Sequence, residues 1–231
     1  MLEVQKLNQY YGESHTLWDV ELNVPEGACT CLMGRNGVGK TTLLKSIMGA
    51  LPSKSGRVKL GGKDLSGLAA WDRARSGIAL VPQGRDIFSM LTVEENLLVG
   101  LAGARGSRPR QVPKRIFDLF PVLSEMMHRR GGDLSGGQQQ QLAIGRALMA
   151  EPKVLILDEP TEGIQPNIVQ QIGDILVKLN QEGLTILLVE QKLPFARRVG
   201  RHFTVLDRGR SVASGGMEGL TEEIVQRHLV V

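Results

Sequence analysis

Residues 34–41, with the sequence GRNGVGKT, constrain the fold of this chain more than any other feature. The pattern G-x-x-x-x-G-K-T is that of a phosphate-binding loop, in which glycines let successive backbone N–H groups turn inward around a phosphate chain. Lys40 would supply a mobile cation for the β- and γ-phosphates, and the Thr41 hydroxyl would be a ligand for Mg²⁺. Such a loop requires a strand before it and a helix after it.

Both flanks of this loop have the required pattern. Residues 28–33 (ACTCLM) form a short, mostly apolar run that predicts a buried strand. Apolar residues recur at helical spacing after the loop until Gly49 and Pro52, namely Leu43, Leu44, Ile47 and Met48. The helix N-terminus would add its dipole to the loop N–H groups. We therefore expect the chain to bind a nucleoside triphosphate.

The composition is that of a globular chain with a full core. With 231 residues and 42% hydrophobic content, one domain, or one domain with a subdomain, is expected. No apolar run approaches the roughly 18 residues of a membrane span, and the start, MLEVQK, lacks a signal-peptide hydrophobic region, which predicts a cytoplasmic location. Cys29 and Cys31 lie too close for a comfortable disulfide and are too few for a zinc site, so they are predicted to be core thiols.

Two basic clusters accompany a mild formal net charge of +4, one within residues 105–115 and one at 128–130. Contact with nucleic acid is one interpretation, but few aromatic residues lie nearby to stack on bases. A solvated face, or one turned toward lipid headgroups or a membrane partner, is favoured because modest positive charge specifies no partner. No nucleic-acid partner is expected.

The first part of the chain reads as strands. Residues 2–24 suggest two strands around a turn at 10–12, and residues 56–62 suggest another short strand. Residues 78–83 form an apolar strand stopped by Pro82, which leaves Gln83 at the carboxyl end, where ligands bind in open α/β sheets.

From Gly84 to about Met149 the pattern becomes helical. Thr92 to Glu95 fits a capping box, and residues 103–113 form a Gly/Pro/Arg-rich loop. The sequence LSGGQ at 134–138 leads into a run of good helix formers, with Ser135 as a plausible N-cap. This section looks like a helical insertion in an α/β chain.

The stretch VLILDE at 154–159 predicts a buried parallel strand that ends in two acids. In a P-loop enzyme an acid at this tip holds Mg²⁺, and a second acid positions or deprotonates water. Turn or helix-capping acids are the alternative, which the upstream loop disfavours. The rest of the chain is predicted to form a helix at 168–179 and a buried strand at 184–189 that ends before Glu190 and Gln191. A strand at 203–206, a turn at 207–209 and a short helical tail follow.

The ordered motifs GRNGVGKTT, VPQGR, LSGGQQQQ, VLILDEP and LLVEQ resemble the nucleotide-binding subunit of ABC transporters over essentially the whole chain. LSGGQ between a P-loop and an apolar strand ending in DE is highly specific to that family. The resemblance implies an α/β fold, with a RecA-like P-loop NTPase core, an antiparallel β edge and an inserted helical subdomain. A single ABC ATP-binding domain is expected, with the core at about 1–84 and 152–231 and the helical subdomain at about 85–151.

The resemblance also implies a head-to-tail dimer with ATP and Mg²⁺ held between two subunits. Glu159 would be the general base, and Gln191 would be the second catalytic residue. Thr41, Gln83 and Asp158 would form the metal site. The signature residues Ser135, Gly136 and Gly137 would face the γ-phosphate bound by the opposite subunit. The implied nucleotide-binding set is Tyr11 (stacked on adenine), Gly34, Arg35, Asn36, Gly37, Val38, Gly39, Lys40, Thr41, Thr42, Gln83, Ser135, Gly136, Gly137 and Gln138.

Two positions depart from the usual family pattern. Gln191 stands where the family has a histidine, and Gln165 stands where it has an aspartate. Gln191 can donate a hydrogen bond but cannot carry a positive charge. Both departures look like the importer branch that handles branched-chain amino acids and other small polar solutes, and RRGGDLSGGQQQQ with TEGIQPN is similar to its urea-importer members.

Membership of that branch implies a peripheral subunit on the cytoplasmic face of the inner or plasma membrane. Its partners would be transmembrane permease subunits, a second, non-identical ABC ATPase and, indirectly, a periplasmic or extracellular solute-binding protein. Urea is the solute expected from the motif wording, and branched-chain amino acids are the alternative. A soluble ABC ATPase acting on nucleic acid or ribosomes is disfavoured by the short chain, and a weak regulatory cassette by the intact Lys40, Asp158 and Glu159.

Overall fold

The apolar runs fold into two β-sheets in the computed structural model, which describes residues 1–103 and 111–230. The strands within these ranges are, in chain order, β1 (Leu2–Tyr11), β2 (Ser14–Val24), β3 (Cys29–Met33), β4 (Ser55–Leu60), β5 (Lys63–Asp64), β6 (Ile78–Val81), β7 (Val154–Asp158), β8 (Thr185–Val189), β9 (His202–Asp207) and β10 (Arg210–Gly216).

Helices connect the strands and cover the sheets. The α-helices of the described ranges are α1 (Lys40–Ile47), α2 (Ala70–Arg75), α3 (Val93–Val99), α4 (Lys114–Leu119), α5 (Pro121–Glu125), α6 (Gly136–Leu148), α7 (Pro166–Gln181), α8 (Leu193–Val199) and α9 (Glu222–His228). Short 3-10 turns lie at Gly100–Gly103, Gly131–Asp133 and Met217–Gly219. Within these ranges, none of the helices combines the length and apolar character needed to cross a bilayer.

The larger sheet carries the strands that lead into the predicted site. Its order is β10-β9-β3-β8-β7-β6, and β9 to β6 run parallel while β10 pairs with β9 antiparallel at the edge. The smaller sheet, β2-β1-β4-β5, is antiparallel throughout. Leu32 of β3 pairs with Val189 of β8, which also pairs with Asp158 of β7. The carboxyl ends of β3, β7 and β8 therefore meet at one edge, and the expected α/β fold with an antiparallel edge is confirmed.

Side chains of the parallel strands alternate between two hydrophobic cores. Cys31, Leu155 and Leu188 point into one core, which also contains residues of α3, α6 and α7. Leu32 and Ile156 belong to the other core, together with residues of α1 and of the antiparallel sheet. The larger sheet is thus covered by helices on one face and by α1 and the smaller sheet on the other.

Cys29 and Cys31 confirm their prediction as core thiols, because both are free and buried. A hydrogen bond with Cys29, followed by burial, holds the pKa of the Cys31 thiol well above its ordinary value. A thiol in this environment stays protonated and packs as a small apolar group.

The helical section is organised by two capping boxes. Thr92 accepts from the Glu95 backbone N–H, and the Glu95 carboxylate accepts from the Thr92 N–H at 2.7 Å, as the sequence predicts. Ser135 and Gln138 make the same reciprocal pair at the start of α6. The second basic cluster, at 128–130, precedes this helix, whereas residues 104–110, which hold most of the first basic cluster, lie outside the described residues.

The sequence prediction misses α2 and the strand that follows the turn at 207–209, and its prediction of a helical tail is confirmed. Strand β10 follows this turn, before the helical tail α9. Arg208 and Gly209 both have positive φ, 45° and 73°, which is the geometry of a two-residue type I′ hairpin. Arginine is an unusual residue at a positive-φ turn position, so the pair Arg-Gly gave no hairpin signal.

Candidate active site

The loop between β3 and α1 depends on glycine at its start. Gly34 has φ of 152°, and a Cβ added there would lie 2.3 Å from the carbonyl oxygen of Leu206. Gly39, which ends the loop, has φ of 107° and immediately precedes Lys40, the first residue of α1. A larger residue at Gly34 would displace the backbone of Leu206, and a larger residue at Gly34 or Gly39 would strain the loop backbone. Glycine at both positions therefore allows the inward-turned path that phosphate binding requires.

Lys40 turns its side chain back into this loop. The side chain is only 5% exposed, and its Nζ donates to the carbonyl oxygens of Gly34 at 2.8 Å and Arg35 at 2.9 Å. The ammonium also lies 3.5 Å from Oε1 of Glu159. A buried cation therefore lies where the loop amides would surround phosphate oxygens.

Asp158 is the last residue of β7 and lies beside the start of α1. The Thr41 hydroxyl donates to Asp158 Oδ2 at 3.2 Å. Burial raises the pKa of the Asp158 carboxyl, and the charges of Glu159 and Glu162 add to this effect, while the Thr41 bond and Lys40 oppose it. A desolvated carboxylate with a hydroxyl beside it is a hard-oxygen pair that a divalent cation would stabilise.

Glu159 leaves the sheet in a strained conformation that its neighbours hold in place. Its φ is 48°, in the left-handed region that usually costs a non-glycine residue about 1–3 kcal/mol. Its backbone N–H donates to Val189 O at 2.9 Å, which ties the turn to the end of β8. This geometry keeps the Glu159 carboxylate next to Lys40.

Gln191 closes the same cluster from β8. Its Nε2 donates to Oε1 of Glu159 at 2.5 Å and to Oδ1 of Asn36 at 2.7 Å. Loops from β3, β7 and β8 therefore bring six predicted site residues together: Asn36, Lys40, Thr41, Asp158, Glu159 and Gln191.

Other predicted residues lie around this cluster. Tyr11 ends β1 and is 50% exposed, and its hydroxyl lies 3.5 Å from Oγ1 of Thr42. An exposed aromatic ring beside the first turn of α1 is free to stack on a planar group. The Arg35 guanidinium donates to the carbonyl oxygen of Val230, so it points toward the end of the described chain.

Residues 135–138 face a cavity that the phosphate-binding loop does not line. They line a cavity of about 810 Å³ together with Gly163, Gln165 and side chains of α7, and residues 34–42 do not contribute to its lining. The Ser135 hydroxyl accepts from the Gln138 backbone N–H at 3.4 Å as the N-cap of α6. The helix N-terminus thus opens toward a space that the loop of the same chain does not fill.

Gln83 follows β6, and its role toward Mg²⁺ stays a prediction. In this structure its Nε2 donates to Oε2 of Glu162 at 2.8 Å. Sequence reasoning missed Glu162 and also Arg85, whose guanidinium donates to Oε1 of Gln139 at 3.3 Å on α6. Glu162 follows the DE acids closely, but sequence proximity did not indicate that it would pair with Gln83.

Comparisons with known proteins agree with this geometry. A family model described as ABC transporter matches residues 17–162. The chain is 43% identical to the high-affinity branched-chain amino acid transport ATP-binding protein BraG of Pseudomonas aeruginosa, over 92% of this chain and 91% of that protein. It is 39% identical to the probable branched-chain amino acid transport ATP-binding protein LivF of Archaeoglobus fulgidus, over 96% of this chain and 94% of that protein.

Solved structures agree in fold. MJ1267, an ATP-binding cassette of an ABC transporter, has a TM-score of 0.83 and 31% identity, covering 94% of this chain and 92% of that one. The dimeric cassette MJ0796, in a post-hydrolysis state bound to ADP and Pi, has a TM-score of 0.85 and 26% identity, covering 95% of this chain and all (100%) of that one.

Proposed function

This chain belongs to the ABC transporter family, as an ATPase coupled to transport, and from that premise we propose that it binds ATP through residues 34–42 and powers an importer of small polar solutes. The observation that carries the proposal is the cluster at the carboxyl edge of the sheet. There, Glu159 faces Lys40 at 3.5 Å and receives the Gln191 amide at 2.5 Å.

The arrangement supports hydrolysis by positioning and charge stabilisation. Lys40 and the loop amides would balance the phosphate charge, and Tyr11 would stack on the adenine. Glu159 would orient the attacking water and accept its proton. Gln191 lies within hydrogen-bonding distance of Glu159, so it would fix the direction of that carboxylate.

The residues near the loop fit Mg²⁺ arriving with the nucleotide. Thr41 and Asp158 offer two hard oxygens 3.2 Å apart, and no cluster of three or more acid, histidine or cysteine ligands occurs among residues 1–103 and 111–230. Mg²⁺ typically uses one or two protein oxygens and completes its octahedron with water and phosphate. When bound, it would neutralise charge on the β- and γ-phosphates. Gln83 would take part only after leaving Glu162.

A second, non-identical ATPase subunit would complete each site. The signature residues Ser135, Gly136 and Gly137 line a cavity to which this chain's own loop does not contribute, which supports a head-to-tail dimer in which they face the partner's nucleotide. Transmembrane permease subunits, with a solute-binding protein outside the membrane, would complete the importer. The chain would then lie on the cytoplasmic face of the membrane.

Branched-chain amino acids are the solutes that the comparisons favour. The relatives at 43% and 39% identity carry that function in their names, which supports the amino-acid alternative more than the urea expectation. Urea remains a second candidate because the motifs RRGGDLSGGQQQQ and TEGIQPN are similar to those of urea importers. The solute would not touch this subunit, so the choice between the two depends on the comparisons and on these motifs.

The test is to reconstitute the subunit with its cognate permeases, its second ATPase and its solute-binding protein in lipid vesicles. We expect the binding protein loaded with leucine to stimulate ATP hydrolysis and uptake. Stimulation by urea with none by leucine would reverse the choice of solute. Hydrolysis that needs neither permease nor binding protein, with no solute uptake, would contradict the importer proposal.

A further inference from the structure

The buried carboxylate of Glu190 joins the loop after β7 to the loop after β8. Glu190 follows β8 directly and is 2% exposed. Its Oε2 accepts from the Thr161 hydroxyl at 2.8 Å, and its Oε1 accepts from the backbone N–H groups of Gln191 at 2.8 Å and Lys192 at 2.9 Å. All three donors therefore belong to the loops that carry Glu159 and Gln191.

These hydrogen bonds are strong enough to define geometry. A buried carboxylate is unfavourable unless its oxygens are paired, and bonds to an ionised acceptor are about twice as strong as neutral ones. Lys192 Nζ makes a second connection between the same loops by donating to Thr161 O at 3.0 Å. The two loops are thus held to each other independently of the strand pairing between β7 and β8.

The contact between Gln191 and Glu159 depends on this link. The Glu159 backbone is fixed by its N–H bond to Val189 O at 2.9 Å. The Gln191 backbone is held by Glu190, and its side chain then reaches Glu159 at 2.5 Å. Without Glu190, the backbone of Gln191 would lose the hydrogen bond that fixes its distance from Glu159.

We propose that Glu190 is a positioning residue for ATP hydrolysis, which acts by holding the Gln191 backbone so that the Gln191 amide faces Glu159. The inference rests on the proposed function, because it concerns the hydrolytic step. Through Thr161, the same carboxylate also fixes the loop in which Glu162 binds Gln83.

A purely structural role is the alternative to distinguish. The backbone N–H groups of Gln191 and Lys192, which donate to Glu190, immediately precede α8. The Glu190 carboxylate therefore also helps to begin that helix. A role confined to the helix would lower stability without changing hydrolysis by the folded protein. A positioning role changes kcat more than the KM for ATP, because the Glu190 carboxylate bonds to Thr161, Gln191 and Lys192 rather than to the phosphate-binding loop. Gln191 reaches that loop through the side chain of Asn36 and not through the backbone amides that would hold phosphate.

The experiment compares Glu190→Gln and Glu190→Ala in the assembled transporter, with kcat, KM for ATP and thermal unfolding measured for each. Glutamine keeps the shape and one acceptor oxygen for the backbone N–H groups, so we expect kcat within about threefold of the wild type, on the scale of one weakened hydrogen bond. Alanine removes every acceptor, and we expect kcat to fall about five- to tenfold, no further than in Gln191→Ala, with KM within about twofold. Equal losses in the two variants would overturn positioning by hydrogen bonds.

Two further variants separate positioning from stability. Thr185→Val removes a buried hydroxyl at the far end of β8, which accepts from Gly27 N at 2.9 Å, and should lower the melting temperature without lowering kcat. Thr161→Val removes one bond to Glu190 and should lower kcat by up to about fivefold. If Glu190→Ala does not fold, Thr161→Val tests the proposal in its place. An unchanged kcat for Thr161→Val would then overturn the proposal.

The double variant Glu190→Ala/Gln191→Ala tests the route through Gln191. We expect its kcat to lie within about twofold of the slower single variant, because residues that act as one unit are not additive. Losses that multiply would overturn the proposal. A wild-type transporter without ATPase activity would refute the proposed function instead, whereas an active wild type matched by Glu190→Ala would refute only this inference.

Discussion

The ammonium of Lys40 lies 3.5 Å from the carboxylate of Glu159, although the two residues come from loops at the ends of different strands. Lys40 follows β3 and Glu159 follows β7, and β8 separates these strands in the sheet. The group that would bind phosphate and the group that would activate water therefore share one charge environment. Substitution of Lys40 should weaken ATP binding, whereas substitution of Glu159 should slow turnover and leave ATP binding intact.

Lys40→Ala should weaken ATP binding and abolish turnover, because the phosphate charge loses its mobile cation. Nucleotide binding by equilibrium titration and hydrolysis by phosphate release measure the two effects. Lys45→Ala is the matched control, since Lys45 is exposed on the same helix and should behave as the wild type. Near-normal ATPase activity of Lys40→Ala would refute the assignment of the loop.

Glu159→Gln should leave ATP binding intact and slow hydrolysis by about a hundredfold or more, the range for loss of a general base. Glutamine keeps the side-chain length but cannot accept the proton of the attacking water. With the cognate second subunit present, size exclusion should detect an ATP-trapped dimer. Turnover at the wild-type rate would mean that another residue handles the water.

Gln191→Ala should slow turnover by about tenfold at most, because a neutral amide hydrogen bond contributes roughly 1 kcal/mol. A histidine at the equivalent position of the partner subunit could carry charge to the γ-phosphate, and its substitution should cost much more. ATPase rates of the assembled transporter, measured with each substitution separately, compare the two sites. The exposed Gln181→Ala is the control.

A complete loss of activity in Gln191→Ala, matching Lys40→Ala, would contradict the expectation that an ATP site with glutamine at this position depends less on that side chain than a site with histidine. It would show that the amide that Gln191 extends to Glu159 and Asn36 is essential rather than auxiliary.

Asp158→Asn should stabilise the protein at neutral pH while it lowers hydrolysis. Burial raises the folded-state pKa of Asp158 above its ordinary value of 3.8, so ionisation of this carboxyl opposes folding. The free energy of unfolding of the wild type therefore falls as the pH rises from 3.8 through the folded-state pKa of Asp158. Asparagine has no charge to desolvate, so the variant does not lose stability in this way. Asparagine can still accept the Thr41 hydrogen bond.

Thermal unfolding of the nucleotide-free protein between about pH 4 and about pH 8 measures this effect. The difference in melting temperature between Asp158→Asn and the wild type should be smallest at the acid end and reach a plateau toward neutral pH. The exposed Asp118→Asn should show no such trend. A variant less stable than the wild type at neutral pH would contradict the prediction.

Local sequence patterns were enough to predict much of this fold. The loop at 34–41, the strand before it, the capping box at Thr92 and the N-cap at Ser135 each depend on residues within one short segment, and each is found where predicted. The apolar strand before Asp158 is equally local, because a fully buried parallel strand requires apolar residues at every position.

Contacts between distant segments were beyond these patterns. Gln83 binds Glu162 across 79 positions of sequence, and Gln191 reaches Asn36 across 155. Such pairs follow from the register of β3, β7 and β8, which a single sequence does not specify. Strand β10 was missed for a different reason, because its hairpin turn uses Arg208 at a positive φ.

The core that contains Cys31 of β3 and Leu155 of β7 also contains Leu97 and Leu142 of the helical section. The helices at 93–148 therefore share their apolar interior with the parallel sheet. Opening them would expose the buried face of the strands that carry Asp158 and Glu190. Amide hydrogens of α6 and of β7 should consequently exchange with solvent through one common opening event, since local unfolding follows cooperative units that share buried contacts.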